Sequence, residues 1–250
     1  MPSLVGSEMC IRDSRKLMAK RELLLGDEAL ALGALHAGLS GVYAYPGTPS
    51  TEITEYIQQH PLAAQRNVHR TWSSNEKTAM EEALGMSFAG KRALVCMKHV
   101  GLNVAADAFV NSAMTGANGG LVVVAADDPS MHSSQNEQDS RHYAMAAKLP
   151  MLEPADSEEA LAFAKLAYTI SEQFDTPVLL KMCTRVAHAQ SLVETSPRQE
   201  PPQKPYVKNP QKYIMMPGNA KRRHPVVEER LEALRQYAET TPANRWEKGS

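Results

Sequence analysis

The sequence predicts an α/β fold, a mostly parallel sheet covered by helices on both faces. Two observations predict it. Short apolar runs alternate with helix-period segments from Leu23 to Met182, and the run Leu121–Ala126 (LVVVAA) is apolar at every position. Alternating strands and helices need crossover connections and so a parallel sheet. A strand without a polar face needs burial on both sides.

Taken in order, Asp27 is placed to cap a helix reaching about Leu39, with Leu30, Leu32 and Leu35 among its apolar positions and Gly38 and Gly41 near its end. Gly41–Tyr45 reads as a strand, followed by the turn PGTPS and a helix to about Gln58. Val68–Ser73 is the next strand, and Asn75 caps a helix carrying Ala79, Met80, Ala83 and Leu84. Arg92–Met97 is a strand, Leu102–Met114 a helix and Leu121–Ala126 the buried strand. Asp127–His142 is polar and aperiodic. Met151–Glu153, Ser157–Phe174 and Pro177–Met182 follow as strand, amphipathic helix and strand.

Residues 18–195 are therefore expected to form one domain. The texture changes at Ser196: five prolines fall within Ser196–Lys212, and 196–223 reads as an extended linker. His224–Glu239 places Val227, Leu231 and Leu234 at helical spacing. A lone amphipathic helix makes no core, so 224–250 is expected to be the truncated start of a further domain. Residues 1–17 lack the apolar segment of a secretory leader. Val5–Ser14 (VGSEMCIRDS) resembles translated adapter sequence, Met18 is the expected natural start, and an ordinary disordered terminus is the alternative.

Composition excludes some classes. With 27 basic and 28 acidic residues the chain lacks the basic excess of a dedicated nucleic-acid binder. Cys10, Cys96 and Cys183 form no C-x-x-C, which rules out a thiolate zinc site or an iron–sulfur cluster within this chain and fits a reducing cytoplasm. The longest apolar run is too short to span a bilayer. No metal ligands are assigned.

Ligands of open parallel sheets bind at the carboxyl ends of strands, and four segments there carry the candidate chemistry. In Tyr45–Ser50, two prolines and a glycine stiffen a strand-to-helix turn; Thr48 reads equally as an N-cap before Pro49. In Ser73–Lys77, Glu76 opens a helix; it either complements the helix dipole or faces a cofactor and shares a proton with a heterocycle nitrogen. In Lys98–Asn103, Gly101 permits close backbone approach, and His99 reads as structural. In Asp127–His142, a polar loop of this length suggests function; Arg141 either clamps a substrate carboxylate or makes a surface ion pair.

Together, YPGTPSTEI, WSSNEKTAMEEALGMSFAGKRALVCMKHVGLNVAADAF and GGLVVVAADDPSMHSSQNEQDSRHYA resemble the N-terminal region of the indolepyruvate:ferredoxin oxidoreductase large subunit, within the 2-oxoacid:ferredoxin oxidoreductases. The similarity runs from about Gly26 to Arg185 and resumes at KNPQKYIMMPGNAKRRHPVVEERLEAL. The resemblance implies the thiamine-diphosphate pyrimidine-binding fold. It gives Glu76 the carboxyl that hydrogen-bonds pyrimidine N1′, and sets Val100, Gly101 and Asn103 along the pyrimidine. Thr48 would face the reacting centre, and Arg141, with His132 as a weaker candidate, would hold the substrate carboxylate.

The implied reaction is oxidative decarboxylation of an aryl 2-oxoacid to its acyl-coenzyme A, with electrons passing through [4Fe–4S] clusters to ferredoxin. A small (beta) subunit and an oligomeric assembly are implied as partners. The chain departs from the full pattern: it has no G-D-G…N segment for Mg²⁺ and diphosphate and no clustered cysteines. Both are expected further along a longer subunit, and this chain alone is expected to be inactive. Two alternatives stay open, a pyrimidine-domain subunit of a non-redox thiamine decarboxylase and a non-catalytic interaction domain of the same fold.

Overall fold

The structure is a computed structural model that describes residues 20–202, 204–244 and 249. The leader expected over residues 1–17 lies outside the described residues. The first described element is strand β1 (Lys20–Leu25), followed by helix α1 (Gly26–His36), β2 (Gly41–Ala44), α2 (Thr51–Gln59), α3 (Pro61–Gln65), β3 (His69–Trp72) and α4 (Glu76–Phe88). Next come β4 (Ala93–Lys98), α5 (His99–Thr115), β5 (Leu121–Asp127), α6 (Arg141–Ala147), β6 (Met151–Leu152), α7 (Ser157–Phe174), β7 (Val178–Cys183), α8 (Thr184–Ala187) and β8 (Gln190–Thr195). The last helices are α9 (Pro210–Tyr213) and α10 (Pro217–Thr240).

Six strands form one parallel sheet in the order β3-β2-β4-β5-β7-β6. Strand β5 is buried at all its positions because helices cover both faces. On one face α1, α2 and α7 pack on Val42, Cys96, Val124 and Leu180; on the other, α4, α5 and α6 pack on Tyr43, Val95, Val123 and Leu179. Adjacent strand residues thus serve opposite cores. Among the described residues no helix is long and apolar enough to cross a membrane.

The sequence reading missed the antiparallel ribbon of β1 and β8, which pairs Lys20 with Thr195 and Leu25 with Gln190. One face of this ribbon buries Leu24 and Val193, while Leu23 and Leu192 are exposed. Several boundaries also differ. Helix α1 is preceded by Leu25 as its cap residue, and Asp27 sits inside the first turn without a capping bond. Helix α5 begins at His99 rather than Leu102, so Val100 and Gly101 belong to its first turn.

The helix expected from His224 begins at Pro217, so part of the segment read as linker is helical. It is docked on the sheet domain. Buried Arg230 donates through Nη1 to Asp175 O at 2.6 Å and through Nη2 to Ala113 O, and Arg223 Nη2 lies 3.2 Å from Asp175 Oδ2. Asp175 itself ends α7 in a left-handed conformation, and its Oδ1 also accepts from Lys212 Nζ at 2.7 Å. Leu234 joins the core beside Phe174 and Tyr237.

Candidate functional site

Strand order fixes where a site forms. From β2 the chain moves outward to β3, then returns past β2 to β4. The crossover direction reverses between β2 and β4, and the crevice at the carboxyl ends of such strands is where parallel sheets bind ligands. The four segments singled out in the sequence leave β2, β3, β4 and β5, which are neighbours in the sheet.

The turn after β2 is closed by its own hydroxyls. Ser50 Oγ donates to Gly47 O at 2.7 Å, and Gly47 N donates to Thr51 Oγ1 at 2.9 Å. Ser50 holds the cap position of α2, so the N-cap role read for Thr48 is not realised. Thr48 is exposed, on a cis peptide bond to Pro49. A β-carbon on Gly47 would lie 3.0 Å from Lys98 Cδ, so this turn rests directly on the end of β4.

After β3, Asn75 Oδ1 accepts from Thr78 N at 2.9 Å and caps α4, as the sequence predicted. This fixes Glu76 as the first residue of the helix, half-buried. Its side chain lies against Gly101 on α5: a β-carbon there would stand 2.6 Å from Glu76 Oε1 and 2.7 Å from its Cγ. A larger side chain at position 101 would push the Glu76 carboxylate out of this place. Among the described residues the Glu76 carboxylate accepts no hydrogen bond and makes no ion pair. An acid held at a strand end by backbone contact, with its oxygens unspent, is placed to bond something other than protein.

The loop after β5 is tied at both ends by two buried aspartates. Asp128 accepts from His132 N at 3.2 Å, Ser133 N at 2.7 Å, Ser134 Oγ at 2.7 Å and Thr184 Oγ1 at 3.0 Å. Burial works to raise its pKa, but the bonds from Ser134, Ser133, Thr184 and His132 outweigh it and hold the carboxyl at about 2. Asp127 accepts from Ser140 N at 3.0 Å and from Ser140 Oγ, gripping the far end of the loop. The loop then lies over the start of α5: Lys98 Nζ donates to Ser133 O at 2.8 Å, and buried His99 Nε2 sits 2.9 Å from Asn136 O.

The remaining candidates are placed less favourably. Val100 is half-buried in the first turn of α5, and Asn103 is exposed and accepts through Oδ1 from Tyr143 Oη. His132 is exposed and, among the described residues, bound through its backbone N alone. Arg141 is already paired. Its Nε and Nη2 donate to Glu153 at 2.8 and 2.7 Å, and Nη1 donates to Asp139 at 3.0 Å. Glu153 is shared with Lys181 Nζ at 2.7 Å, which lies 3.6 Å from Asp127. The surface ion pair weighed for Arg141 is the observed state, within a chain of charges lining an open cleft of about 280 Å³.

Sequence reasoning singled out the segments that open with Lys98 and with Asp127-Asp128 but gave Lys98 and Asp128 no role, and it missed Glu153 and Lys181. Asp127 ends β5, a strand buried along its whole length, and Asp128 follows it; two acids entering a long polar loop there were a usable signal. Glu153 and Lys181 carried none, because strands β6 and β7 bring them together only in the fold.

Comparison with known proteins gives a consistent result. Residues 32–245 match the family described as pyruvate flavodoxin/ferredoxin oxidoreductase, thiamine-diphosphate-binding. The indolepyruvate oxidoreductase subunit IorA of Archaeoglobus fulgidus is 43% identical over 238 residues, covering 94% of this chain and 38% of that protein. The same subunit of Methanothermobacter marburgensis is 42% identical over 226 residues, covering 90% of this chain and 36% of that protein. The chain thus spans between a third and two fifths of the curated relatives' length. A solved structure of 2-oxoglutarate:ferredoxin oxidoreductase from Magnetococcus marinus, with 2-oxoglutarate, coenzyme A and succinyl-CoA bound, superposes with TM-score 0.71 at 16% identity over 88% of this chain and 46% of that one. At that identity it shows a shared fold.

Proposed function

We propose, from the premise that this chain belongs to the pyruvate flavodoxin/ferredoxin oxidoreductase thiamine-diphosphate-binding family, that it supplies the pyrimidine half of a thiamine-diphosphate site in a 2-oxoacid oxidoreductase. The observation that carries the reading is the Glu76 carboxylate resting on Gly101 with no hydrogen-bond or ion-pair partner among the described residues. The residues fit the pyrimidine end of the cofactor. A pyrimidine needs a carboxyl able to share a proton with a ring nitrogen, and Glu76, seated on Gly101, offers one with its oxygens unspent.

Bound thiamine diphosphate supplies the thiazolium electron sink for decarboxylation. Glu76 holds a proton against the pyrimidine ring nitrogen and so sets its tautomer. Asn75 fixes Glu76 by capping α4, and Gly101 fixes how far its side chain reaches. The first turn of α5, with Val100 and Asn103, borders the pyrimidine, and Thr48 faces the reacting centre from the neighbouring turn. Arg141 receives the 2-oxoacid carboxylate by exchanging it for Glu153, with His132 in the same loop. Asp127 and Asp128 hold that loop in place.

The substrate we assign is an aryl 2-oxoacid, indolepyruvate, oxidised to its acyl-coenzyme A with ferredoxin as acceptor. The names of curated relatives 43% and 42% identical to the chain support this choice. Mg²⁺, the diphosphate segment and [4Fe–4S] clusters are assigned to the part of the relatives' length that this chain does not span. A beta subunit and an oligomer complete the assembly, in the cytoplasm. The test is a steady-state assay of the complete enzyme with indolepyruvate, pyruvate or 2-oxoglutarate, coenzyme A and ferredoxin. A higher kcat/KM for indolepyruvate is expected. Preference for pyruvate or 2-oxoglutarate overturns the substrate assignment, and decarboxylation without ferredoxin reduction favours the non-redox alternative.

A further inference from the structure

A second constellation lies on the opposite face of the sheet, at the start of α1 and α2. Asp27 is fully buried, and among the described residues neither of its carboxylate oxygens has a hydrogen-bond partner. One ligand atom each from Asp27, Glu52 and His188 lie within 4.8 Å of one another. Glu52 Oε2 is also buried without a partner, and its Oε1 stands 3.7 Å from His188 Nε2, beyond hydrogen-bonding reach.

The fold builds this meeting point. A β-carbon on Gly26 would lie 2.1 Å from Val186 O, so only glycine lets the start of α1 press against α8. Gly26 N donates to Ala189 O at 3.1 Å and locks that contact. The following residue is Asp27, and the residue capping α8 is His188. Glu52 enters from the second position of α2.

A buried carboxylate is ordinarily satisfied by a donor or a counter-charge. Among the described residues no lysine, arginine or hydroxyl bonds Asp27. Two carboxylates and one imidazole are a ligand set for a divalent first-row ion. Ligand atoms around tetrahedral zinc stand about 3.4 Å apart for bonds of about 2.0–2.1 Å, so the group must tighten. Glu52 and His188 have side chains 36% and 38% exposed, which gives them freedom to move and gives an ion a way in.

We propose that Asp27, Glu52 and His188 form a binding site for a divalent transition cation of the zinc type, with solvent completing the coordination. The site tethers α1, α2 and α8 on the face away from Glu76. It does not depend on the thiamine reading, because no residue is shared.

The test uses the 250-residue chain, stripped with chelator and titrated with Co²⁺ as a spectroscopic stand-in and with Zn²⁺ by calorimetry. Wild type should take up one ion per chain and develop visible Co²⁺ absorption. Glu52→Gln and His188→Ala, both at the solvent side of the cluster, should each weaken binding at least ten-fold while far-UV circular dichroism stays unchanged. Asp27→Asn should abolish uptake. No stoichiometric uptake by wild type overturns the proposal, as does equal uptake by wild type and the Glu52→Gln and His188→Ala variants.

Discussion

Glu76 reaches its position because Gly101 has no side chain: a β-carbon at 101 would lie 2.6 Å from Glu76 Oε1, far inside van der Waals contact. Two helices starting from neighbouring parts of the sheet edge are thereby set face to face, one bringing the acid and the other its seat. Conformational freedom is not the reason for the glycine, since position 101 is helical. Space is.

Gly101→Ala should therefore act on catalysis more than on folding. The added methyl group costs roughly 1–3 kcal/mol if the site cannot relax, and the simplest relaxation swings the Glu76 carboxyl aside. A displacement near 1 Å is enough to lower turnover by about 10²-fold. The complete enzyme carrying Gly101→Ala should keep its circular dichroism and melting behaviour while kcat falls. Unchanged kcat with a shifted melting point would mean that Gly101 serves packing alone.

Arg141 and Glu153 make a second, separable prediction. Two bonds at 2.8 and 2.7 Å hold the guanidinium on Glu153. If Arg141 receives the substrate carboxylate, Glu153→Gln should lower KM for the 2-oxoacid by weakening the competitor. Arg141→Ala should raise KM by roughly ten- to a hundred-fold, the worth of one charged hydrogen-bonding contact of about 1.5–3 kcal/mol. KM unchanged in both variants would return Arg141 to a purely structural ion pair.

Asp128 makes the long loop acid-sensitive in a defined window. Its folded carboxyl titrates at about 2, below the unfolded value near 3.9. A depressed carboxyl stabilises the folded state fully above the unfolded pKa and loses that contribution as pH falls through the folded pKa. Amide exchange of residues 129–139 should accelerate relative to the core between about pH 4 and pH 2, and Asp128→Asn should show the faster exchange already at pH 7. Exchange in the variant equal to wild type would show that the four bonds do not govern the loop.

The residues explain which parts of this architecture were legible beforehand. Helix α7 could be read to both boundaries because Asp156 caps it and its apolar spacing is unbroken. Strand β5 declared its burial through composition alone. Asn75 and Glu76 were readable because an N-cap has a short-range chemistry.

Thr48 misled because Thr-Pro imitates a helix start, whereas the helix waits for Thr51. The β1–β8 ribbon was invisible because its partners are 173 residues apart at the Arg21–Glu194 pair, and no local pattern encodes such pairing. Arg141 was found as a charge, but its satisfaction by Glu153 depends on where β6 sits. The same holds for Asp27, Glu52 and His188, which come together from three separate elements.

The most direct test of the central claim is the rate of deuterium exchange at the thiazolium C2 of thiamine diphosphate bound to the complete enzyme, compared between wild type and Glu76→Gln. If Glu76 sets the pyrimidine tautomer, exchange should slow by roughly 10²–10⁴-fold with the cofactor still bound. Exchange at the wild-type rate in Glu76→Gln would contradict the role assigned to Glu76 and leave the carboxylate as a helix-capping charge.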